Sequence, residues 1–198
     1  MQLKKLGSKD SKSIAELHER AFPSFFLTSL GREFLEKFYH SILKDSNGLA
    51  VGIFEDEELV SFAVGAIMKE GFYKRLLYRN AFQLFFAAFP KIFRNPLLMF
   101  RLAQSFASRE TIEMDISEGS RLLSICVDPS LRKKGYGRCA LMEFESEVAK
   151  VSSLITLTTD AEKNDSVNKF YLSHGYALAS NFFISKRKMN LYIKSFKN

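Results

Sequence analysis

Between Arg132 and Arg138 the chain reads Arg-Lys-Lys-Gly-Tyr-Gly-Arg, two glycines set among cations. Glycines at that spacing let successive backbone N–H groups converge, because a Cβ would block either the turn or its ligand. The basic side chains around the turn add charge, so the ligand this chemistry suits is an anion.

The flanking elements have to hold that turn in place. Leu123, Ile125 and Val127 read as the buried face of a strand, which Asp128-Pro129 stops. Beyond the turn, Ala140, Leu141, Phe144, Val148 and Val151 recur at helical steps of three and four. A helix starting there adds unpaired N–H donors and the positive end of its dipole.

Arg132-x-x-Gly135-x-Gly137 resembles the R/Q-x-x-G-x-G/A signature of the GNAT superfamily, the acetyl-CoA-dependent N-acetyltransferases. Asn164-x-x-x-x-x-x-Tyr171-x-x-x-Gly175-Tyr176 resembles the same family's N-x-x-A-x-x-x-Y-x-x-x-G-F/Y pattern, with a strand between the motifs as in the family. The resemblance covers residues 121 to 184 well; the N-terminal third fits in order of elements. It implies that Arg132, Lys133, Lys134, Gly135, Tyr136, Gly137 and Arg138 hold the coenzyme A diphosphate. The main chain of Ile125, Cys126 and Val127 would pair with the pantetheine amides like a missing strand, and Asn164 would bond the same arm. Tyr171, also against the cofactor, would be the general acid.

Such chemistry suits these residue types. A neutral amine attacks the thioester carbonyl, and the departing thiolate leaves best when protonated. A phenol, with a reference pKa of about 10, carries that proton at neutral pH. Packing in an amphipathic helix is the competing reading of Tyr171, and a helix cap that of Asn164. Relatives often carry a Glu where this chain has Thr158; Asp160 is the nearest carboxylate. Asp160 reads as a catalytic base, an anchor for the acceptor, or a solvated loop residue. Asn168 lies one helical turn before Tyr171, on the same side, and reads as substrate-binding. Glu113, Asp115 and Glu118 are further carboxylates near the central strand. His18, His40 and His174 have no metal-ligand spacing and read as structural; no metal and no hydrolase triad is expected.

The 198 residues suit one domain, 1–198. Cys126 and Cys139 flank the basic turn as small apolar residues rather than a disulfide framework. The start, M-Q-L-K-K-L-G-S-K-D, lacks a signal peptide's apolar core, and no uncharged apolar run reaches the ~18 residues of a span. A cytoplasmic protein is expected.

Met1–Leu6 reads as a first strand, and Asp10 or Ser11 as the cap of a helix that Pro23 ends. The loop Phe22–Leu27 is too aromatic for a solvated connection, so Phe25 and Phe26 plug the core or line an acceptor pocket. Thr28 or Ser29 caps a second helix, closed by Asn47-Gly48. Strands Leu49–Phe54 and Leu59–Met68 form a hairpin around Glu55-Asp56-Glu57-Glu58. After the insert, Thr111–Gly119 reads as a loop. Leu154–Thr159 is a strand, Asp165–His174 a helix with Gly175 as left-handed cap, and Tyr176–Ile184 and Met189–Phe196 a closing pair around a basic turn Lys186–Lys188. The fold class is α/β: a mixed sheet, antiparallel in its N-terminal half with a parallel pair at its centre, flanked by helices.

The net charge of +7 comes from one segment: Lys74, Arg75, Arg79, Lys91, Arg94, Arg101 and Arg109 fall between Phe72 and Arg109 with no Asp or Glu, alongside ten Phe or Tyr. This insert, 72–109, reads as helices divided by Pro90 and Pro96. Four roles stay open: packing with cations turned outward, a homodimer surface, a peripheral contact with anionic membrane, and nucleic-acid binding, disfavoured by the absence of a recognisable module. A looser likeness, to family members in bacterial cell-surface polysaccharide pathways, implies an amino-sugar acceptor whose linked phosphates meet the basic patch. The sequence therefore points to a GNAT-type acyltransferase moving acetyl from acetyl-CoA, or a longer acyl group, to a primary amine of an amino-sugar, a small molecule, or a peptide or protein. The alternative is a non-catalytic acyl-CoA-binding or membrane-associated module on the same fold.

Overall fold

The structure is a computed structural model and describes residues 1–67, 72–98, 119–184 and 187–196. Among these, the strands are β1 (Gln2–Lys5), β2 (Gly48–Glu55), β3 (Glu58–Ile67), β4 (Ser120–Val127), β5 (Leu154–Asp160), β6 (Ala177–Ile184) and β7 (Arg187–Ser195). The helices are α1 (Ser11–Ala21), the single turn α2 (Phe26–Ser29), α3 (Arg32–Lys44), α4 (Phe72–Arg94), α5 (Tyr136–Ala149) and α6 (Asp165–Ser173). One mixed sheet runs β1-β2-β3-β4-β5-β7-β6, antiparallel throughout except for the central pair β4–β5.

Helices α1, α3 and α4 cover one face, burying Ile14, Leu17, Phe34, Tyr39, Phe62 and Leu84 among others. Helix α5 covers the opposite face with Leu141, Phe144 and Val148, joined by Tyr171 from α6. Each fully buried Leu, Ile or Phe contributes about 1.5–3 kcal/mol relative to leaving it exposed, so the sheet is held between two cores, one on each face.

Several elements differ in detail from the sequence reading. The second long helix is capped by Gly31 (φ +99°), not by Thr28 or Ser29. Those hydroxyls donate instead to the Phe22 and Phe26 carbonyls, closing the α2 turn. Asp10 bonds back to the Gly7 N–H at 2.8 Å rather than capping α1 with its side chain. Pro90 does not divide the insert: α4 runs through it to Arg94. Pro90 is exposed, so water can meet the carbonyl its missing N–H leaves unpaired. The second helical stretch of the insert beyond Leu98, the Thr111–Glu118 loop and the three carboxylates Glu113, Asp115 and Glu118 lie outside the described residues.

The burial of β4 departs most. Its buried apolar side chains are Leu122 and Cys126, while Leu123, Ile125 and Val127 are half-buried. Register explains this: Val64 pairs with Ser124 but Gly65 with Leu122, so Leu123 bulges out of the ladder. A bulge shifts side-chain alternation by one. Leu123 and Cys126 consequently face the α3 side, and Leu122 and Ile125 the α5 side. Gly65 is needed opposite the bulge, because a Cβ there would lie 2.2 Å from the Arg121 carbonyl oxygen.

Candidate active site

The parallel pairing of β4 with β5 is short: Ser120 with Ile155, Arg121 with Thr156, Leu122 with Leu157. Beyond that point β4 stays paired with β3 as far as Val127, and β5 with β7 as far as Asp160. The two central strands diverge from the bulge onward, opening a wedge whose β4 wall is the main chain of residues 123–127. An unpaired strand edge offers N–H and C=O groups to an extended ligand. Ile125, Cys126 and Val127 all lie on it. The Cys126 carbonyl also accepts from Ser61 Oγ at 2.9 Å, and burial pushes the Cys126 thiol up, away from thiolate chemistry.

At the outer end of β4 the chain makes a tight basic turn that leads into α5. Asp128 accepts from the Ser130 N–H and hydroxyl, closing a short turn over Pro129–Leu131. These bonds, with Arg20 beside it, hold the Asp128 carboxyl below its usual range. Lys133 (φ +64°) and Gly135 (φ +90°) are both left-handed, and α5 starts immediately after. Nothing lies within 4 Å of a Cβ built on Gly135, whereas one on Gly137 would sit 3.3 Å from Val127 Cγ2. The first glycine therefore keeps the cradle open, and the second lets helix and strand approach. Arg132 donates to the Ala21 carbonyl at 3.2 Å, tying the loop to the end of α1. Lys133, Lys134 and Arg138 are exposed. Tyr136 reaches away to bond Glu55 at the end of β2, so any part it plays in the cradle is through its main chain.

The β5 wall is polar. Asn164 precedes α6 but does not cap it with its side chain; its amide donates to Thr159 Oγ1 (2.8 Å) and the Asp160 carbonyl (3.2 Å). Asn168 donates to the Asp160 carbonyl at 3.1 Å and accepts from Asn190 Nδ2 (3.0 Å) and the Tyr192 hydroxyl (3.1 Å). The Asp160 carboxylate is gripped by both prongs of Arg187, at 3.0 and 2.7 Å. Tyr171 is 6 % exposed and packs against Phe170, Tyr176 and Tyr192 at ring distances of 5.4, 5.6 and 6.0 Å. Burial pushes its phenol up, so it holds its proton throughout the physiological range.

A polar chain reaches the wedge from the opposite face. His18 Nδ1 lies 2.7 Å from the Tyr39 hydroxyl, which donates to Ser124 Oγ at 3.1 Å on the bulged part of β4. Burial lowers the His18 pKa to about 4 and pushes the Tyr39 phenol up. With Tyr39 donating to Ser124, His18 donates through Nδ1, and its buried Nε2 meets no partner among the described residues. Half-exposed Phe25 lies 6.1 Å from the His18 ring and 5.9 Å from Phe22. Phe26 is half-buried and packs on the same core.

The structure thus places Ile125–Val127 on the β4 edge with the basic loop at its outer end, and gathers Asn164, Asn168 and Asp160 at the end of β5, where the Asn168 and Asp160 side chains bond to β7. Sequence reasoning missed Ser124, Tyr39 and the wiring of His18, together with Arg187, Asn190 and Tyr192. Only the polar interruptions of apolar strands, Ser124 and Asn190, carry a local signal for them.

Residues 109–176 match the model of the acetyltransferase (GNAT) family. No curated protein sequence matches significantly. Among solved structures, the ribosomal-protein-S18-alanine N-acetyltransferase of Escherichia coli superposes with a TM-score of 0.63 at 13% identity, over 100% of this chain and 94% of that one. A putative GNAT acetyltransferase of Desulfovibrio desulfuricans gives 0.64 at 14% identity, over 98% of each chain. The PaiA N-acetyltransferase of Thermoplasma acidophilum, solved in complex with coenzyme A, gives 0.59 at 14% identity, again over 98% of each. At these identities the structural likeness speaks for the fold, while the sequence match spans both motifs and the strand between them. On the two together, residues 109–176 carry the match to a GNAT acetyltransferase domain, the whole chain shares the fold of solved acetyltransferases, and the protein is an acyltransferase.

Proposed function

We propose that this enzyme transfers an acetyl group from acetyl-CoA to a primary amine in the cytoplasm. The observation that carries the reading is the wedge between β4 and β5, which opens at Leu123 and ends at the Gly135 cradle. It supplies in one line an unpaired strand edge for the pantetheine amides and convergent N–H groups for a diphosphate. Bound there, acetyl-CoA supplies an activated acyl group. Ile125–Val127 pair with the pantetheine arm, the amides from Arg132 to Arg138 hold the phosphates, and Asn164 fixes the corner between β5 and α6. Tyr171, protonated in its aromatic pocket, donates its proton toward the leaving sulfur. The Arg187 grip occupies both Asp160 oxygens, so Asp160 serves better as an anchor for the acceptor than as a base. Asn168, Phe25 and Phe26 contribute to the acceptor side. An amino-sugar, a small amine and a peptide or protein amine all fit this arrangement, and much of the acceleration comes from alignment of the two reactants.

A second reading, a non-catalytic acyl-CoA-binding module, is favoured by one feature: the 6 % exposure of Tyr171 within its aromatic cluster. Thioester consumption across an amine panel separates the two. Catalysis predicts turnover for at least one amine, reduced roughly 10²–10⁴-fold in Tyr171→Phe as expected for loss of a general acid. Coenzyme A binding by calorimetry with no turnover of any amine would establish the second reading.

A further inference from the structure

Helix α4 is amphipathic in an unusual sense, apolar on both sides. One side packs into the α3 core through Phe72, Leu76, Leu84, Ala87 and Ala88. The other carries Tyr78 (85 % exposed), Phe82 (75 %), Phe85 (40 %), Phe86 (55 %), Phe89 (46 %) and Phe93 (78 %). At 3.6 residues per turn these six fall within an arc of about 100°. Their rings touch in sequence, Phe82–Phe86 at 4.3 Å, Phe85–Phe89 at 5.8 Å and Phe89–Phe93 at 6.1 Å, forming a continuous aromatic ridge. A helix face turned to water is normally polar, and a ridge of this kind marks a contact surface.

Charge decides what covers it. From Phe72 to Arg109 the sequence has seven cations and no carboxylate, the whole net charge of the chain. Arg79, exposed, lies at the edge of the ridge about 20° beyond Phe86, and Arg94, also exposed, ends the helix directly after Phe93. A two-fold contact between copies would set these cations against themselves with no carboxylate of the segment to offset them. An anionic bilayer offers both complements at once: phosphates for the cations and an acyl boundary for the rings. Among the described residues no helix is long and apolar enough to cross a membrane, so α4 would lie along the surface.

We propose that the α4 ridge docks on an anionic lipid surface, its phenylalanines entering the headgroup–acyl boundary and Arg79 and Arg94 meeting lipid phosphates. The proposal is independent of the acetyl-transfer reading. The test is co-flotation of the full chain with vesicles of phosphatidylcholine alone and with phosphatidylglycerol added. The wild type floats with the anionic vesicles only, and less as salt rises. Replacing Arg79 and Arg94 by Gln weakens partitioning about fivefold per cation; Phe82→Ser/Phe86→Ser/Phe89→Ser abolishes it. All five positions are exposed, so the variants keep the fold, which their circular dichroism and coenzyme A binding check. Failure to float at low salt, or wild-type flotation by the triple Phe variant, overturns the proposal. A dimer by sedimentation that the Phe variant dissociates, with no vesicle binding, overturns it in favour of a second copy.

Discussion

His18 offers the sharpest quantitative consequence of the fold. It is 2 % exposed, hydrogen-bonded to Tyr39, and its pKa is lowered to about 4, with burial the main cause and Glu19 opposing it weakly. An unfolded-chain histidine titrates near 6.5. Between those values the unfolded chain binds a proton that the native protein refuses, so stability falls as pH drops from about 6.5 to about 4 and this contribution is flat on either side. At 1.36 kcal/mol per pH unit, the loss by pH 4.5 is about 2.5 kcal/mol.

The perturbation is His18→Phe, which keeps the ring contacts with Phe22 and Phe25 but cannot titrate. At pH 7.5 the variant loses the bond to Tyr39, about 1 kcal/mol. By pH 4.5 the order reverses, and the variant is the more stable. Urea unfolding of both proteins at the two pH values gives the difference of differences, in which the shared carboxylates cancel. Parallel pH profiles for wild type and variant would refute the reasoning, for they would mean that His18 is solvated or paired in the native state.

Three other outcomes follow from local geometry. Gly65→Ala pushes a Cβ to 2.2 Å from the Arg121 oxygen and 2.5 Å from Phe144 Cζ, so the β3–β4 bulge must open at a cost of about 3 kcal/mol in chemical denaturation. Gly135→Ala meets no neighbour; it costs only the left-handed backbone, about 1–2 kcal/mol, yet coenzyme A affinity by calorimetry falls at least about tenfold because the Cβ enters the cradle. Asn168→Leu strips the acceptor from the buried Tyr192 hydroxyl and Asn190 amide and destabilises by about 2 kcal/mol, read from the thermal midpoint.

What could be read in advance was what periodicity and turn chemistry encode locally. The β2–β3 hairpin around Glu55–Glu58, the Asp128-Pro129 stop, the left-handed Gly175 and the buried helical positions Ala140, Leu141, Phe144 and Val148 each depend on neighbours within a turn or two, and each is where it was expected, whereas Val151 lies beyond the end of α5 and is exposed. What escaped depends on pairing across the sheet. The bulge at Leu123 is set by Gly65 on β3, far away in sequence, and it alone moves Ser124 to the side where Tyr39 and His18 can reach it. Arg187, read as part of a basic turn, becomes the partner of Asp160 only because β7 inserts between β5 and β6. The same nonlocal step creates the site: β4 holds to β3 while β5 follows β7, and the wedge is the gap those two loyalties leave. The motifs mark its rim because a tight turn into a helix needs local glycines, whereas its depth is a property of strand order that no short window of sequence contains.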